Sequence, residues 1–406
     1  MTTIPNYGIY SIAIGIILLI IVPFVLYMGY IIFFKRKIND WTPFLLSIIL
    51  LILGLKYIID GIIIHNICAS IIAQGTESSY IEALKYAMLY NLFPYPTGSF
   101  ILYYTSFIFI FFGAYMIKEK YFSKKYDTEE KIQKFQDKQQ EVHFLDLEIS
   151  RKLFHICIIS LLIGYLIVGE LVGMGVYNAT DSLYEHLTPL SFIPYNEIDF
   201  NDLVNNYHFD FVLNRWLVVF IILDIGILLI LSEFIRFFNY RYYPIKTISG
   251  VYRKEEMSSM GPHVHLVFGI AFVATFFPPY IAMAAIAIAG LADAVATIVG
   301  VTMGKTKVHK GSNKTWEGCI GGFISAFLFA LLSYMILIQP YSDPSLLATY
   351  YPFIKPPSIL QGIIASFIGA FVFLLIDYAS PPLRFSDNLV NPILCGLSMY
   401  IVCLIV

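Results

Sequence analysis

The chain has 406 residues, of which 58% are hydrophobic and only 13% charged, with a formal net charge of −2. Soluble domains keep about 25% charged residues, so this composition, with a mean hydropathy of +0.74, excludes an ordinary soluble globular protein. The net charge by itself says nothing about nucleic acid, and no nucleic-acid partner is expected. Cys68, Cys157, Cys319, Cys395 and Cys403 are scattered and lie mostly in apolar runs. They read as buried thiols rather than disulfides or a metal cluster.

In chain order, apolar segments of spanning length fall at about 8–34, 43–64, 98–117, 153–176, 216–238, 263–278, 280–303, 317–338, 358–378 and 389–406. The first lacks the basic leader of a signal peptide and is long enough to span, so a retained helix is expected. Pro278 and Pro279 are expected to form a tight turn between the sixth and seventh segments. Only helices or closed barrels satisfy their backbone in lipid, and the strand signature is missing. The expected fold is therefore all-α, a polytopic integral membrane protein with about ten transmembrane helices. The chain divides into three regions: N-terminal transmembrane helices over 1–117, a cytosolic charged helical segment over 118–150, and a membrane-embedded domain over 151–406. In the charged segment Ile132, Phe135, Val142, Leu145 and Ile149 recur at roughly helical spacing, which suits a helix lying against the headgroups.

Lysine and arginine in the loops set the orientation. With the N-terminus outside, the cytosolic loops hold Lys35, Arg36, Lys37, the run from Lys118 to Lys152, Arg236, Arg241, Lys246, Arg253, Lys254, the lysines of 305–314, and Arg384. The external loops keep only Lys85, Arg215 and Lys355. Asn178-Ala-Thr180 is then an external glycosylation sequon.

Every unusual polar cluster falls on the side assigned to the cytosol. Arg151-Lys152-Leu-Phe-His155 opens span four. Glu233-Phe-Ile-Arg236 closes span five, and Arg253-Lys-Glu-Glu256 leads to Gly261-Pro262-His263-Val-His265 at the start of span six. The stretch 290–322 joins spans seven and eight, and Ser386-Asp387-Asn388-Leu-Val-Asn-Pro392 opens span ten. Spans four, six, eight and ten thus begin on one face. Their free N–H groups and positive dipole ends, beside Arg and Lys, suit a triphosphate.

Asp293 lies about two turns inside span seven, where an acid is costly and faces a cavity, a partner or an ion. Either a nearby lysine or backbone group neutralises it, or it is a Mg²⁺ ligand or catalytic carboxylate, since Mg²⁺ takes one or two carboxylates plus substrate phosphates. Glu317 and Asp387 are the candidate second acids; each is alternatively a helix N-terminal charge favoured by the dipole. Gly300-Val-Thr-Met-Gly304-Lys305-Thr306 is not a Walker A loop, having three residues between its glycines instead of four and coming after a helix rather than a strand. Backbone amides near its glycines can still approach phosphate. His263 and His265, two apart, point in different directions and suit hydrogen bonding or substrate contact rather than a metal pair. His155 shares a helix face with Lys152 and is either structural or an acid–base group. Lys56 and Asp60, one turn apart, are expected to neutralise each other. Asp224, Asp377 and Glu170 have no clear local partner and rank below Asp293.

Together these motifs resemble the CTP-dependent polyprenol kinase family, dolichol kinases among them. That family carries an R-K-x-x-H element, an E-x-x-R element, and a G-D-x-x-A-x-x-x-G-x-x-x-G block with K-T-x-E-G after it. Here they stand as Arg151-Lys152-Leu-Phe-His155, Glu233-Phe-Ile-Arg236, Ala292-Asp293-Ala-Val-Ala296-Thr-Ile-Val-Gly300-Val-Thr-Met-Gly304, and Lys314-Thr315-Trp316-Glu317-Gly318. Asp387-Asn388-Leu-Val-Asn-Pro392 looks like the D-N-L-x-x-P stretch of dolichol kinases. The likeness covers about 150–392, and Ala292 departs from the usual glycine.

The resemblance implies that 151–406 is the catalytic domain of a lipid kinase that passes the γ-phosphoryl group of CTP to an isoprenoid alcohol. It implies Mg²⁺ as cofactor, held by Asp293, Glu317 and Asp387, with Asp293, His155 and Glu317 catalytic. Arg151, Lys152, Gly300, Gly304, Lys305, Lys314, Thr315, Gly318 and Asn388 would bind nucleotide and phosphate, with Glu233, Arg236, Arg253 and His263 in support. The membrane lipids, CTP and the alcohol are the expected partners, and the active site would face the cytosol from the endoplasmic reticulum or a prokaryotic plasma membrane. A related cytidylyltransferase of the phosphatidate type is the alternative, although its K-R-x(4)-K-D and H-G-G-x-x-D-R elements are missing; a transporter is a third reading.

Overall fold

A computed structural model describes residues 8–75, 77–90, 92–93, 99–121, 152, 155, 158–169, 171–172, 175, 209–244, 252, 258–309, 314–341, 351, 353–379 and 385–406. The chain begins with α1 (Ile9–Tyr30), prolonged by a wider turn over Ile31–Lys35, and α2 (Thr42–Ile72). These two pack through facing glycines: a Cβ on Gly61 would stand 2.6 Å from the Gly8 carbonyl oxygen. Two further helices, α3 (Glu77–Tyr90) and α4 (Ser99–Tyr121), complete the N-terminal part. Next come α5 (Ile158–Val168), with Lys152 and His155 in helical conformation ahead of it, and α6 (Phe209–Phe238). The remainder is α7 (Pro262–Phe276), α8 (Pro279–Thr302), α9 (Trp316–Ile338), α10 (Ile359–Ala379) and α11 (Asp387–Ile405).

The protein is an all-α polytopic membrane protein, and among the described residues it has no strand. Seven helices are long and apolar enough to cross a membrane, and the apolar α5 and α7 are shorter. Each of the ten expected segments holds a helix; α3 is an additional one, and α2 runs eight residues beyond the expected end. Most of the charged segment, residues 122–150, and the sequon at Asn178 lie outside the described residues. The described cysteines, Cys68, Cys319, Cys395 and Cys403, are free and buried.

α8 is the hub. Residues 279–290 are buried on every side, as expected of a helix apolar all round, and α5, α7, α9 and α11 pack on it. Its start is set by Pro278 and Pro279: Phe277 is extended, as a residue before proline prefers, and Pro279 takes the first helical turn, where its missing N–H costs nothing. α9 shows the lipid logic directly. Ile320, Ile324, Leu328 and Leu332 form an exposed stripe at four-residue spacing, while Gly322, Ala326, Ala330 and Tyr334 turn inward. Outward apolar side chains cost nothing in hydrocarbon, and small inward ones let helices approach closely.

Candidate active site

α8 does not run regularly to its end. Residues Ile288–Ala292 form a π-helical turn, and Asp293 opens the regular helix after it. Such turns add a residue, rotate the helix beyond them, and recur at functional sites. Asp293 is reached by the Lys152 ammonium from the α5 side, and its Oδ2 lies 3.8 Å from His155 Nε2. Of the two readings of Asp293, neutralisation by a lysine is the contact that the structure shows.

The D-x-x-A-x-x-x-G-x-x-x-G spacing puts Ala296, Gly300 and Gly304 along the side of α8 that meets α9. A Cβ on Gly318 would come 2.9 Å from the Ala296 carbonyl oxygen and 3.0 Å from Gly300 Cα. Close packing of two helices is therefore a sufficient reason for the glycines, and the same seam lines a cavity. Between α8 and α9 the lysine-rich stretch folds back on itself. Lys307 bridges Thr315 antiparallel, Val308 N–H donates to the Lys314 carbonyl at 3.1 Å, and Trp316 N–H donates to the Thr306 carbonyl at 2.9 Å. The K-T-x-E-G element then starts α9. Thr315 is the N-cap, its hydroxyl accepting from Gly318 N–H at 3.2 Å. Glu317 accepts from Thr306 N–H at 3.2 Å on both oxygens, tying the loop to the helix start.

Lys314 points from this loop to two acids, Asp377 Oδ1 at 2.5 Å and Asp387 Oδ2 at 3.3 Å. Burial alone would lower its pKa, but Asp387 and Asp377 outweigh that and hold the ammonium above its ordinary range. Cys319 donates to the other oxygen of Asp377 at 3.0 Å. Asp377, which sequence placed behind Asp293, is thus a central acid; its lysine is 63 residues away in the chain.

The E-x-x-R element is a buried clamp beneath the start of α7. Arg236 donates to Glu233 through Nε at 2.9 Å and Nη2 at 2.8 Å, and to the Ser259 carbonyl at 2.6 Å. Glu233 in turn accepts from Gly261 N–H at 2.8 Å and the Tyr252 hydroxyl at 2.9 Å. Burial and then the Glu233 charge raise the Tyr252 pKa far above that of an ordinary phenol, so it stays a donor. His263 stacks on Tyr252, its Nδ1 3.1 Å from the hydroxyl oxygen.

These parts surround one cavity of about 830 Å³, within the range of small-molecule sites, ~300–1,000 Å³. Lys152, Pro262, Gly318 and Asn388 bring the starts of four membrane segments to its wall, and Asp293, Lys314, Asp377 and Asp387 supply charge. Gly300, Gly304 and Thr315 also line it. His155, Lys305, Glu317, Glu233, Arg236 and His263 are not among the lining residues; Lys305 is exposed, while Glu233 and Arg236 are buried. Arg151 and Arg253 lie outside the described residues. Lys307, Asn39 and Asp40 line the cavity although the motifs do not single them out as site residues, and His265, read with His263 as a hydrogen-bonding or substrate-contact residue, lines it too. For Asn39 and Asp40 no local signal existed, because their neighbours there are far away in the chain.

Among the described residues no group of three His, Cys, Asp or Glu side chains forms a ready metal cage. The donor set nonetheless fits Mg²⁺, which keeps waters and takes one or two carboxylates plus substrate phosphates. Arg215 and Lys355, expected on the opposite face, do sit at the far ends of the bundle: Arg215 donates to the Thr275 carbonyl at 2.6 Å and Lys355 to the Ile405 carbonyl at 2.5 Å.

Residues 144–377, more than half of the chain, match the model of the cytidylyltransferase family. No curated protein and no solved structure matches the chain.

Proposed function

The chain belongs to the cytidylyltransferase family, which includes dolichol-kinase-like members, and from that premise we propose that it is a membrane kinase transferring the γ-phosphoryl group of CTP to an isoprenoid alcohol. The observation that carries this reading is a single cavity where four helix starts meet two lysine–carboxylate contacts. Phosphoryl transfer asks mainly for positioning and charge neutralisation. Free N–H groups and ammonium ions supply the second, and helices fixed in a bundle supply the first.

In the reaction the alcohol oxygen bonds to the γ-phosphorus while the bond from that phosphorus to the β,γ-bridging oxygen breaks. CDP leaves, and the hydroxyl proton passes to a base. Asp293 and His155, which stand together, are the candidates for it. Lys152 and Lys314 would exchange their carboxylate partners for phosphate oxygens as the nucleotide enters. Mg²⁺, held by Asp293 and Asp387, would draw negative charge off the triphosphate. We assign Glu317 to holding the lysine loop, on its contact with the Thr306 amide. The cytosolic face is favoured by the lysine and arginine bias of the loops.

The family's description favours a second reading, in which the cytidylyl group itself moves to a lipid phosphate. Against it stands the lack of the sequence elements characteristic of phosphatidate cytidylyltransferases. The test of the kinase reading is acceptor dependence. Purified protein in detergent with Mg²⁺ and CTP should release CDP only when an alcohol is added, and a panel of dolichol, geranylgeraniol, phytol and diacylglycerol should identify the acceptor. No CDP with any of them would overturn the reading.

A further inference from the structure

The walls of the cavity differ in chemistry. Its lining lysines, Lys152, Lys307 and Lys314, come from the α5 side and the α8–α9 loop. The lining residues from the α1–α2 loop and the starts of α2 and α7 include Asn39, Asp40, Thr42, Ser259 and His265, with no lysine or arginine among them. His265 is only 3% exposed, and neither ring nitrogen has a hydrogen-bond partner among the described residues. Buried polar groups are normally satisfied, so an imidazole held in this state at a cavity wall is poised for a ligand.

The loop opposite it is built rather than loose. Arg36 donates to the Ser258 carbonyl at 2.8 Å and sits over the Phe237 ring at 4.0 Å. The Thr42 hydroxyl donates to Asp40 Oδ1 at 2.5 Å and accepts from Ser386 N–H at 2.9 Å, joining the loop to the start of α11. Lys37 has φ of 57°, the left-handed region for a residue that is not glycine. Such a cost persists only where the surroundings over-determine the backbone. All of these loop residues lie outside the 144–377 family region.

We infer that this wall, His265 with Asn39 and Asp40, binds the uncharged ribose-and-base half of the nucleoside triphosphate; the inference rests on the nucleotide reading of the site. A carboxylate repels phosphate but accepts from hydroxyl and amino groups, and a neutral imidazole offers one donor and one acceptor. An amide adds both kinds. That set exceeds what the single hydroxyl of an isoprenoid alcohol can use, and it matches a sugar diol and the edge of a pyrimidine. The α1–α2 hairpin is then part of the nucleotide site rather than only a membrane anchor.

The experiment is calorimetric titration of the full-length protein in detergent with Mg²⁺, using CTP and inorganic tripolyphosphate as separate ligands. His265→Ala should weaken CTP ~10-fold, the loss of one or two hydrogen bonds, while tripolyphosphate stays within about twofold of wild type. Asp40→Asn and Asn39→Ala give the same readout from the loop without opening a hole in α7. CTP affinity unchanged in all three variants would overturn the inference, and so would equal losses for both ligands, which mark a merely structural role. A folded wild type that binds tripolyphosphate and CTP equally overturns the nucleoside contact alone. A folded wild type that binds neither overturns the nucleotide reading itself, and the inference with it.

Discussion

Lys314 Nζ lies 2.5 Å from Asp377 Oδ1 and 3.3 Å from Asp387 Oδ2, so one ammonium joins the loop before α9 to the last turn of α10 and the first of α11. The lysine is 63 residues from the first acid in the chain and 73 from the second. An ammonium shared by two carboxylates at a cavity wall offsets one of their two charges, and in the proposed reaction it is the group that turns to an entering phosphate.

Lys314→Ala removes a charge-assisted contact, which is worth about 1.5–3 kcal/mol. Its Kd for CTP should rise ~10- to 100-fold. Titration of CTP into the purified variant measures this directly, and an unchanged Kd would remove Lys314 from the phosphate site.

Asp293→Asn keeps the shape of the side chain and removes its charge. Turnover should fall by about 10³ or more, as expected when a group stabilising the transferring phosphoryl is lost. Expression and detergent extraction should stay near wild type, because the amide oxygen can still accept from Lys152. Activity above about a tenth of wild type would take Asp293 out of the metal and catalytic roles. Chelation of Mg²⁺ should abolish wild-type turnover in the same assay.

The Glu233–Arg236 pair is a different case, because both side chains are almost fully buried, at 0% and 2% exposure. Glu233→Gln leaves the guanidinium uncompensated, a loss of about 3–5 kcal/mol, and weakens the hold on the Gly261 amide at the start of α7. Thermal unfolding in detergent should show a clearly lowered Tm. A Tm equal to wild type would mean that the clamp does not hold the cavity wall.

Gly318→Ala tests the helix seam. The added Cβ meets the Ala296 carbonyl oxygen and Gly300 Cα, and overpacking of this kind costs about 1–3 kcal/mol. Gly113→Ala is the control, since a Cβ there meets nothing within 4 Å. The first should lower Tm and the second should not; equal effects would point to helix propensity instead of packing.

Much of the fold was legible because lipid imposes a coarse rule: a long apolar run must close its own backbone hydrogen bonds. The break at Pro278-Pro279 and the Lys56–Asp60 pair, which does form, both rest on neighbours within a few residues. The site was legible where a motif is local, as at Arg236 and Glu233 or Lys152 and His155. It was not legible where partners are remote. Asp377 looked unpartnered until Lys314 reached it, and Asp40 and His265 come to one cavity only in the assembled bundle. Glu317 had two readings, a metal ligand or a helix N-terminal charge; its carboxylate stands in the first turn of α9, accepts from the Thr306 amide and does not line the cavity. Of the two histidines at the start of α7, His263 turns to Tyr252 and His265 to the cavity, a choice that spacing alone leaves open.

The most direct test traces the fate of the label in two parallel reactions, one with CTP labelled at the γ-phosphorus and one with CTP labelled at the α-phosphorus, each with Mg²⁺ and an isoprenoid alcohol. Phosphoryl transfer predicts that the γ label enters the lipid phase while the α label stays in water as CDP. Label from the α-phosphorus in the lipid, or from neither position, would contradict it.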